Sequence, residues 1–456
     1  MSLDTELTEA LSRDGGRLFL VGGRVRDEVL AELGRAQPEV PDRDYLVTGL
    51  ELADVIERLS RLGRAEVVGA SFGVIKFTRD GRTVDIALPR RERSTGSHHR
   101  DFAVEAGPQI SLVEDLARRD FRINMMAREL RSGQLIDPYG GRDDLIARRL
   151  DIVRAETFAE DPLRILRGAQ FAARFELTPS PEALQGMRGA AHMIGTVAAE
   201  RMADELRKLL ERSPRPSIGF ELLRETGALD RVLPELMEGW DVEQNEFHAF
   251  SVYYHSLRAC DLAPQELVLR LAALFHDVGK PRTKEGPHFY RHEFVGAEMA
   301  KTALQRLRFS NDVVAAVCRL VALHMYHADD HLSDAAIRRF IRRAGSEHID
   351  ALFSLRQADV LASGLPPRGV EQNARFEERV KGVLNAPHVF SLADLCIDGN
   401  DVIELMREDK IVGADFRGGP RVGETLRYCL EQTLDDPAKN QPHVLRELAR
   451  QFLRGR

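Results

Sequence analysis

Short apolar runs of strand length alternate with helical spacing over the first third of the chain, and helical spacing takes over beyond it. RLFLVGG (residues 17–23) is a near-continuous apolar run closed by two glycines, which predicts a buried strand ending in a tight turn. VRDEVLAEL (25–33) is the helix that this turn feeds. DRDYLVTG (42–49), SFGVIKFT (71–78) and RTVDIALP (82–89) predict further strands, with LADVIERLSRLG (52–63) as a helix between the first two. From about Asp143 onward apolar residues recur three and four apart, and prolines in SPRPS (213–217), VLPEL (232–236) and LPPRG (365–369) punctuate the helices. The pattern predicts an α+β chain: a small head with a mixed sheet, then helical modules. At 456 residues the chain is long enough for two to four domains.

Composition narrows the class. Hydrophobic residues make up 43% and charged ones 30%, as in a soluble globular protein and unlike a disordered or membrane one. No apolar run is long enough to cross a bilayer, so no membrane partner is expected. The start, MSLDTELTEALSRDGG, lacks the basic-then-apolar pattern of a signal peptide. Cys260, Cys318, Cys396 and Cys429 lie far apart without a CxxC pair, which predicts reduced, mostly buried thiols and a cytoplasmic location. The formal net charge of −7 does not exclude nucleic acid, because a local basic face binds phosphate on an acidic protein.

Candidate chemistry begins at GGRVRD (22–27). Gly22 and Gly23 let the backbone approach a polyphosphate, the following helix N-terminus offers free N–H groups, and Arg24 and Arg26 add charge. Next come Asp42 and Asp44, alternating at a strand start so that both side chains project to one face. Two carboxylates held together repel unless a cation lies between them. Mg²⁺ suits such oxygens, and a metal pair activates a 3′-hydroxyl and stabilises departing pyrophosphate.

With EDLARRDFRIN (114–124) and EDPLRILRGAQF (160–171) following in order, this series resembles the class II tRNA nucleotidyltransferases, the CCA-adding and poly(A) polymerase family of the polymerase β superfamily. The resemblance implies Asp42 and Asp44 as the catalytic metal-binding pair. Asp85 lies on the strand where the wider superfamily has a third acid, and a catalytic and a structural role are both open there. Gly22, Gly23, Arg24, Arg26, Asp27, Arg119, Asp120 and Asn124 are implied in holding the nucleotide, with Asp120 accepting from sugar hydroxyls. A charged helix start with Asp120 as cap is the plain structural alternative. The chain departs from the family at Arg122, usually Thr, and at Met125, usually small, which bears on ribose or primer contacts.

AEDPLRILRGAQFAARF (159–175) reads as a helix with Pro162 near its first turn, which makes Asp161 and Arg164 neighbours on one face with Arg167 continuing the row. An intrahelical ion pair is one reading. In the family the motif serves as a protein template, with Glu160, Asp161, Arg164 and Arg167 reading CTP and ATP. A carboxylate accepts from the exocyclic amino group of cytosine or adenine, and a guanidinium donates beside it. Uracil and guanine mispair. Arg201, Arg207 and Lys208 downstream read as a solvated basic face, with RNA phosphate as the other role.

A second constellation lies in YYHSLRAC (253–260), LAALFHDVGK (271–280), FYRHEFVGA (289–297), LVALHMYH (320–327) and RQADVLASG (356–364). His255, the doublet His276–Asp277 and the distant Asp359 resemble the metal set of HD phosphohydrolases. His292 and His324 are either ligands of a second metal or buried, hydrogen-bonded histidines. Lys280 is either a phosphate contact or a surface residue. Mixed His and Asp ligands suit Mn²⁺, Ni²⁺, Co²⁺ or Fe²⁺.

The expected layout is a catalytic head (1–142), a helical neck and body binding base and tRNA (143–240), an HD domain (245–365) and a tRNA-binding helical tail (370–456). The expected activity is template-independent addition of C and A to the tRNA 3′ end from CTP and ATP. An HD phosphatase or phosphodiesterase acting on 2′,3′-cyclic or terminal phosphates accompanies it. The alternatives are a CC-adding or A-adding partial enzyme, a poly(A) polymerase, and an HD phosphohydrolase with an RNA-binding head.

Overall fold

The computed structural model describes residues 2–35, 43–68, 73–94, 102–244, 246, 248–329, 331–366, 369–386 and 389–455. The chain divides into two compact units, Met1–Met237 with Arg306–Arg308, and Glu238–Gln305 with Phe309–Arg456. Among the described residues no helix is long and apolar enough to cross a membrane.

The first unit opens on the predicted sheet. Its strands are β1 (Arg17–Val21), β2 (Asp44–Thr48), β3 (Arg64–Val68), β4 (Val74–Arg79) and β5 (Arg82–Ala87). A separate hairpin of β6 (Arg90–Ser94) and β7 (Phe102–Ala106) follows, and β8 (Ala127–Glu129) and β9 (Leu135–Ile136) return to the sheet. The order is β3-β4-β5-β2-β1-β8-β9. Among the described residues of this sheet, β2 and β5 alone pair in parallel, and their register sets Asp44 opposite Asp85, both side chains on one face. β1 is buried along Leu18–Val21 because it is central and covered on both faces, as its unbroken apolar run foretells. β3, β6, β7, β8 and β9 are additions to the strands expected from the pattern. RAEVV and RRERS carry little period-2 apolar signal, and pairing with neighbours makes them strands.

The region read as one helix, 159–175, is two: Thr157–Glu160 and Leu163–Phe175. Pro162 disfavours the helical conformation of the residue before it, and Asp161 is accordingly extended at φ −141°, ψ 97°. Leu163–Phe175 packs between Ala199–Arg212 and Pro216–Glu225. The second unit is helical apart from a short Lys284–Glu285 and His288–Phe289 hairpin. Its last three helices, Gly399–Glu408, Pro420–Asp435 and Pro442–Leu453, enclose their own core of Val402, Leu405, Leu430 and Leu445. The four cysteines are all free; Cys260 and Cys429 are buried, while Cys396 is exposed.

Candidate functional site

In the first unit, β1 delivers the chain to Gly22, whose φ of 71° lies in the left-handed region that glycine tolerates. A Cβ there would also stand 2.9 Å from Nη1 of Arg119 and displace the tip of that side chain. Helix Gly23–Glu32 then starts against a cavity of about 330 Å³. Asp44 reaches it from the edge of β2, and Asp120, Asn124, Asp161, Arg164 and Arg167 from the helical side. The described lining carries six arginines (Arg26, Arg118, Arg119, Arg164, Arg167, Arg201) against three aspartates (Asp44, Asp120, Asp161). That excess of cation suits a polyphosphate. Asp42 lies outside the described residues.

A buried polar chain fixes this wall. Arg26 donates to Asp27 Oδ1 at 2.8 Å and to Asn124 Oδ1 at 2.8 Å, and its guanidinium lies over the Phe171 and Phe175 rings. Burial pushes the Arg26 pKa down against the pull of Asp27. Asn124 Nδ2 donates to Asp120 Oδ1 at 2.9 Å, and Arg167 donates to Asp120 Oδ2 at 2.7 Å. Burial alone would raise the Asp120 pKa, but Arg167 and Asn124 outweigh it and hold the carboxyl below its ordinary range. Asp120 does not cap a helix start. It follows the end of helix Leu112–Ala117 and also accepts from the Phe121 N–H at 2.9 Å, in the turn that leads to the short 3₁₀ segment Arg122–Asn124.

Asp161 and Arg164 both line the cavity, but the carboxylate pairs elsewhere. Asp161 Oδ2 accepts from Arg201 at 3.0 Å, while Arg164 donates to the carbonyl of Arg118 at 2.9 Å and to Thr157. The break at Pro162 turns Asp161 out of the row that a continuous helix would have made. Glu160 pairs with Arg154 at 2.9 Å and Arg24 with Glu28 at 2.8 Å, and neither lines the cavity. Arg122 reaches Asp151 and the Ile152 carbonyl, and Met125 is 1% exposed in the core, so both departures point away from the cavity. Arg118 and Leu163 line the cavity without having been singled out in the sequence. Arg118 is the partner in an Arg–Arg doublet, and buried Asp115 holds both of its members. Arg201, read as part of a solvated basic face, is exposed as expected and also donates to Asp161.

In the second unit, His255 on helix Val252–Leu262, His276–Asp277 after Leu267–Phe275 and Asp359 on Ile349–Ala362 converge. His255 Nε2 lies 3.1 Å from His276 Nε2 and 3.1 Å from Asp359 Oδ1. Asp277 divides its oxygens: Oδ2 faces His255 and His276 at 3.5 and 3.2 Å, and Oδ1 faces His292 and His324 at 3.4 and 3.7 Å. His276, His292 and His324 each aim Nδ1 at a backbone carbonyl (Ala273, Phe289 and Val321) at 2.7–2.8 Å. A carbonyl only accepts, so Nδ1 carries the proton and Nε2 faces inward as a ligand. The donor set therefore fits a divalent cation, and the two groups sharing Asp277 fit a pair.

Burial pushes the His276 pKa down, yet Asp277 and Asp359 outweigh it and hold it at about 10; the same carboxylates favour a metal cation at that nitrogen. Lys280 is 6% exposed and donates to Asp277 Oδ2 at 2.6 Å, which corrects its reading as a surface residue. His248 packs edge-on against His255 at 4.6 Å and burial pulls its pKa down to about 4. With Arg356, Asp359, Val360, Leu365 and Pro366 it lines a cavity of about 210 Å³ beside the metal set. Arg356 precedes Asp359 by one helical turn. Neither it nor His248 was singled out from sequence, because nothing in a helix pattern marks which face borders a site.

The geometry defines a polymerase-type nucleotidyltransferase head joined to an HD metal domain, and comparison with known proteins agrees. Residues 18–151 match the Poly A polymerase head domain, 176–239 the probable RNA- and SrmB-binding site of polymerase A, and 247–363 the HD domain. The multifunctional CCA protein of Cupriavidus pinatubonensis is 34% identical over 88% of this chain and 98% of its own length. That of Xanthomonas campestris pv. campestris is 37% identical over 90% and 96%. The Bacillus stearothermophilus CCA-adding enzyme, solved in complex with CTP, shares the fold with a TM-score of 0.70 at 22% identity, over 100% of this chain and 99% of that one. The chain belongs to the multifunctional CCA protein family.

Proposed function

We propose that the chain adds C and A to the tRNA 3′ end from CTP and ATP, in CCA addition or repair, with Asp42 and Asp44 as the catalytic pair. The observation that carries this is one cavity in which the Gly22 turn, Asp44, the Asp120–Asn124 segment and the Asp161–Arg164 wall all meet. The terminal hydroxyl attacks the α-phosphorus, the Pα–O–Pβ bond breaks, and pyrophosphate leaves. When bound, divalent ions, Mg²⁺ by the preference of hard oxygens, lower the pKa of the hydroxyl and offset the charge of the leaving group. Gly22, Gly23 and Arg119 cradle the triphosphate. Asp120 and Asn124, fixed by Arg26 and Arg167, set the ribose, and Asp161 and Arg164 read the base. Asp27 acts from behind, through Arg26.

Residues 1–142 form the catalytic head and 143–240 the base-reading neck and body, with tRNA extending to the tail at 370–456. The second unit adds hydrolysis of terminal or 2′,3′-cyclic phosphates at His255, His276, Asp277 and Asp359, with His292 and His324 for a second ion; Mn²⁺, Ni²⁺ and Co²⁺ suit this mixed set. A cytoplasmic setting follows from the substrates. Two variants test the assignment. Asp44→Asn abolishes nucleotide addition and spares phosphatase activity, and Asp277→Asn does the reverse. Addition that survives Asp44→Asn and fails with Asp277→Asn overturns it.

A further inference from the structure

We infer that Arg201 is a positioning residue for base selection: it orients the Asp161 carboxylate so that one lone pair faces the incoming base. This rests on the reading of Asp161 as a base-reading group. Pro162 leaves Asp161 outside the helix that follows, so that helix does not fix its side chain. Two donors do so instead, one on each oxygen. The Leu163 N–H reaches Oδ1 at 3.2 Å, and Arg201 Nη2 reaches Oδ2 at 3.0 Å.

The helix that carries Arg201, Ala199–Arg212, meets the same wall again one turn later, where buried Glu205 faces Arg167 at 3.7 Å. Arg201 is itself about half exposed, but the helix that carries it is anchored at this wall. Each carboxylate oxygen offers two acceptor directions. Arg201 takes one at Oδ2 and leaves the other for an exocyclic amino group of cytosine or adenine. Uracil would set a carbonyl oxygen against that same lone pair, and the repulsion excludes it only while the carboxylate cannot turn away. Held by the Leu163 N–H alone, the carboxylate turns or takes up water, and uracil is admitted.

The test is kcat/KM for CTP and for UTP on tRNA lacking CCA, measured for wild type, Arg201→Ala, Arg201→Lys and Asp161→Ala. Arg201→Ala is expected to lower the CTP-over-UTP ratio about tenfold, the low end for a hydrogen bond to a charged group that is partly solvent-screened. Arg201→Lys is expected to restore most of the ratio. A merely structural role lowers both rates together and leaves the ratio unchanged, which overturns the inference. If Arg201→Ala does not fold, Arg201→Met, which keeps an aliphatic stem and removes the donors, is read by the same ratio. Discrimination that persists in Asp161→Ala defeats the base-reading assignment itself. Discrimination lost in Asp161→Ala and intact in Arg201→Ala defeats only the role given to Arg201.

Discussion

Asp120 and Asp115 are carboxylates whose burial is balanced by named guanidinium groups. Asp120 is buried against Arg167 and Asn124, and Asp115 against Arg119 and Arg118. In each case burial raises the pKa and the arginines more than offset it, so both folded values lie below the unfolded one of about 3.9. The stability each contributes is complete above that pH and is lost as pH falls through the depressed folded value. Thermal unfolding followed below about pH 4 should show the first unit weakening, and Asp115→Asn should flatten the fall. Asp120→Ala leaves Arg167 and Asn124 without their shared acceptor and should cost about 2–3 kcal/mol in urea unfolding, while sharply lowering nucleotide addition. From sequence, Asp120 and Asn124 were legible as part of a motif. Their partners were not, because Arg26 lies 98 residues from Asn124 and Arg167 lies 47 from Asp120, beyond any local period.

Among elements, the break at Pro162 and the crowding at Gly168 decide how the Asp161–Arg164 wall is built. A Cβ on Gly168 would meet Met187 Cε at 2.5 Å and Phe121 Cζ at 2.9 Å. The methionine end can give way, but Phe121 is packed edge-on against Phe158 and Phe171 and adjoins Asp120. Gly168→Val should therefore destabilise the first unit by about 3 kcal/mol and depress nucleotide addition, read by urea unfolding beside an activity assay. Elements with strong internal patterns, β1 and the helices after Asp143, were readable in advance. β3 and the β6–β7 hairpin were not, since their identity comes from neighbours. Pro162 was visible, but only the extended Asp161 shows that it ends one helix and starts another.

At the scale of the whole molecule, the proposed function calls for two metal chemistries with different ligand sets. In that proposal carboxylates serve the first unit, whereas in the second Asp277 stands among four histidines. A chelator should silence both activities. Mg²⁺ alone should restore nucleotide addition, and Mn²⁺, Co²⁺ or Ni²⁺ should restore phosphatase activity far better than Mg²⁺ does. Restoration of both by Mg²⁺ to the same degree would contradict this division. Net charge revealed nothing of the first site, because the −7 average conceals a cavity lined by six arginines. The histidines and aspartates of the second unit were legible as residue types; the division of Asp277 between two groups of histidines needed the fold.

The central claim is that one cavity adds both C and A without a nucleic-acid template. The direct measurement presents tRNA ending before CCA, after C and after CC, with each labelled nucleotide in turn and with CTP and ATP together. The account predicts that every acceptor is completed to CCA, that UTP and GTP are refused, and that Asp44→Asn abolishes all of it. Extension of only some acceptors, or growth of long A tails, would contradict it.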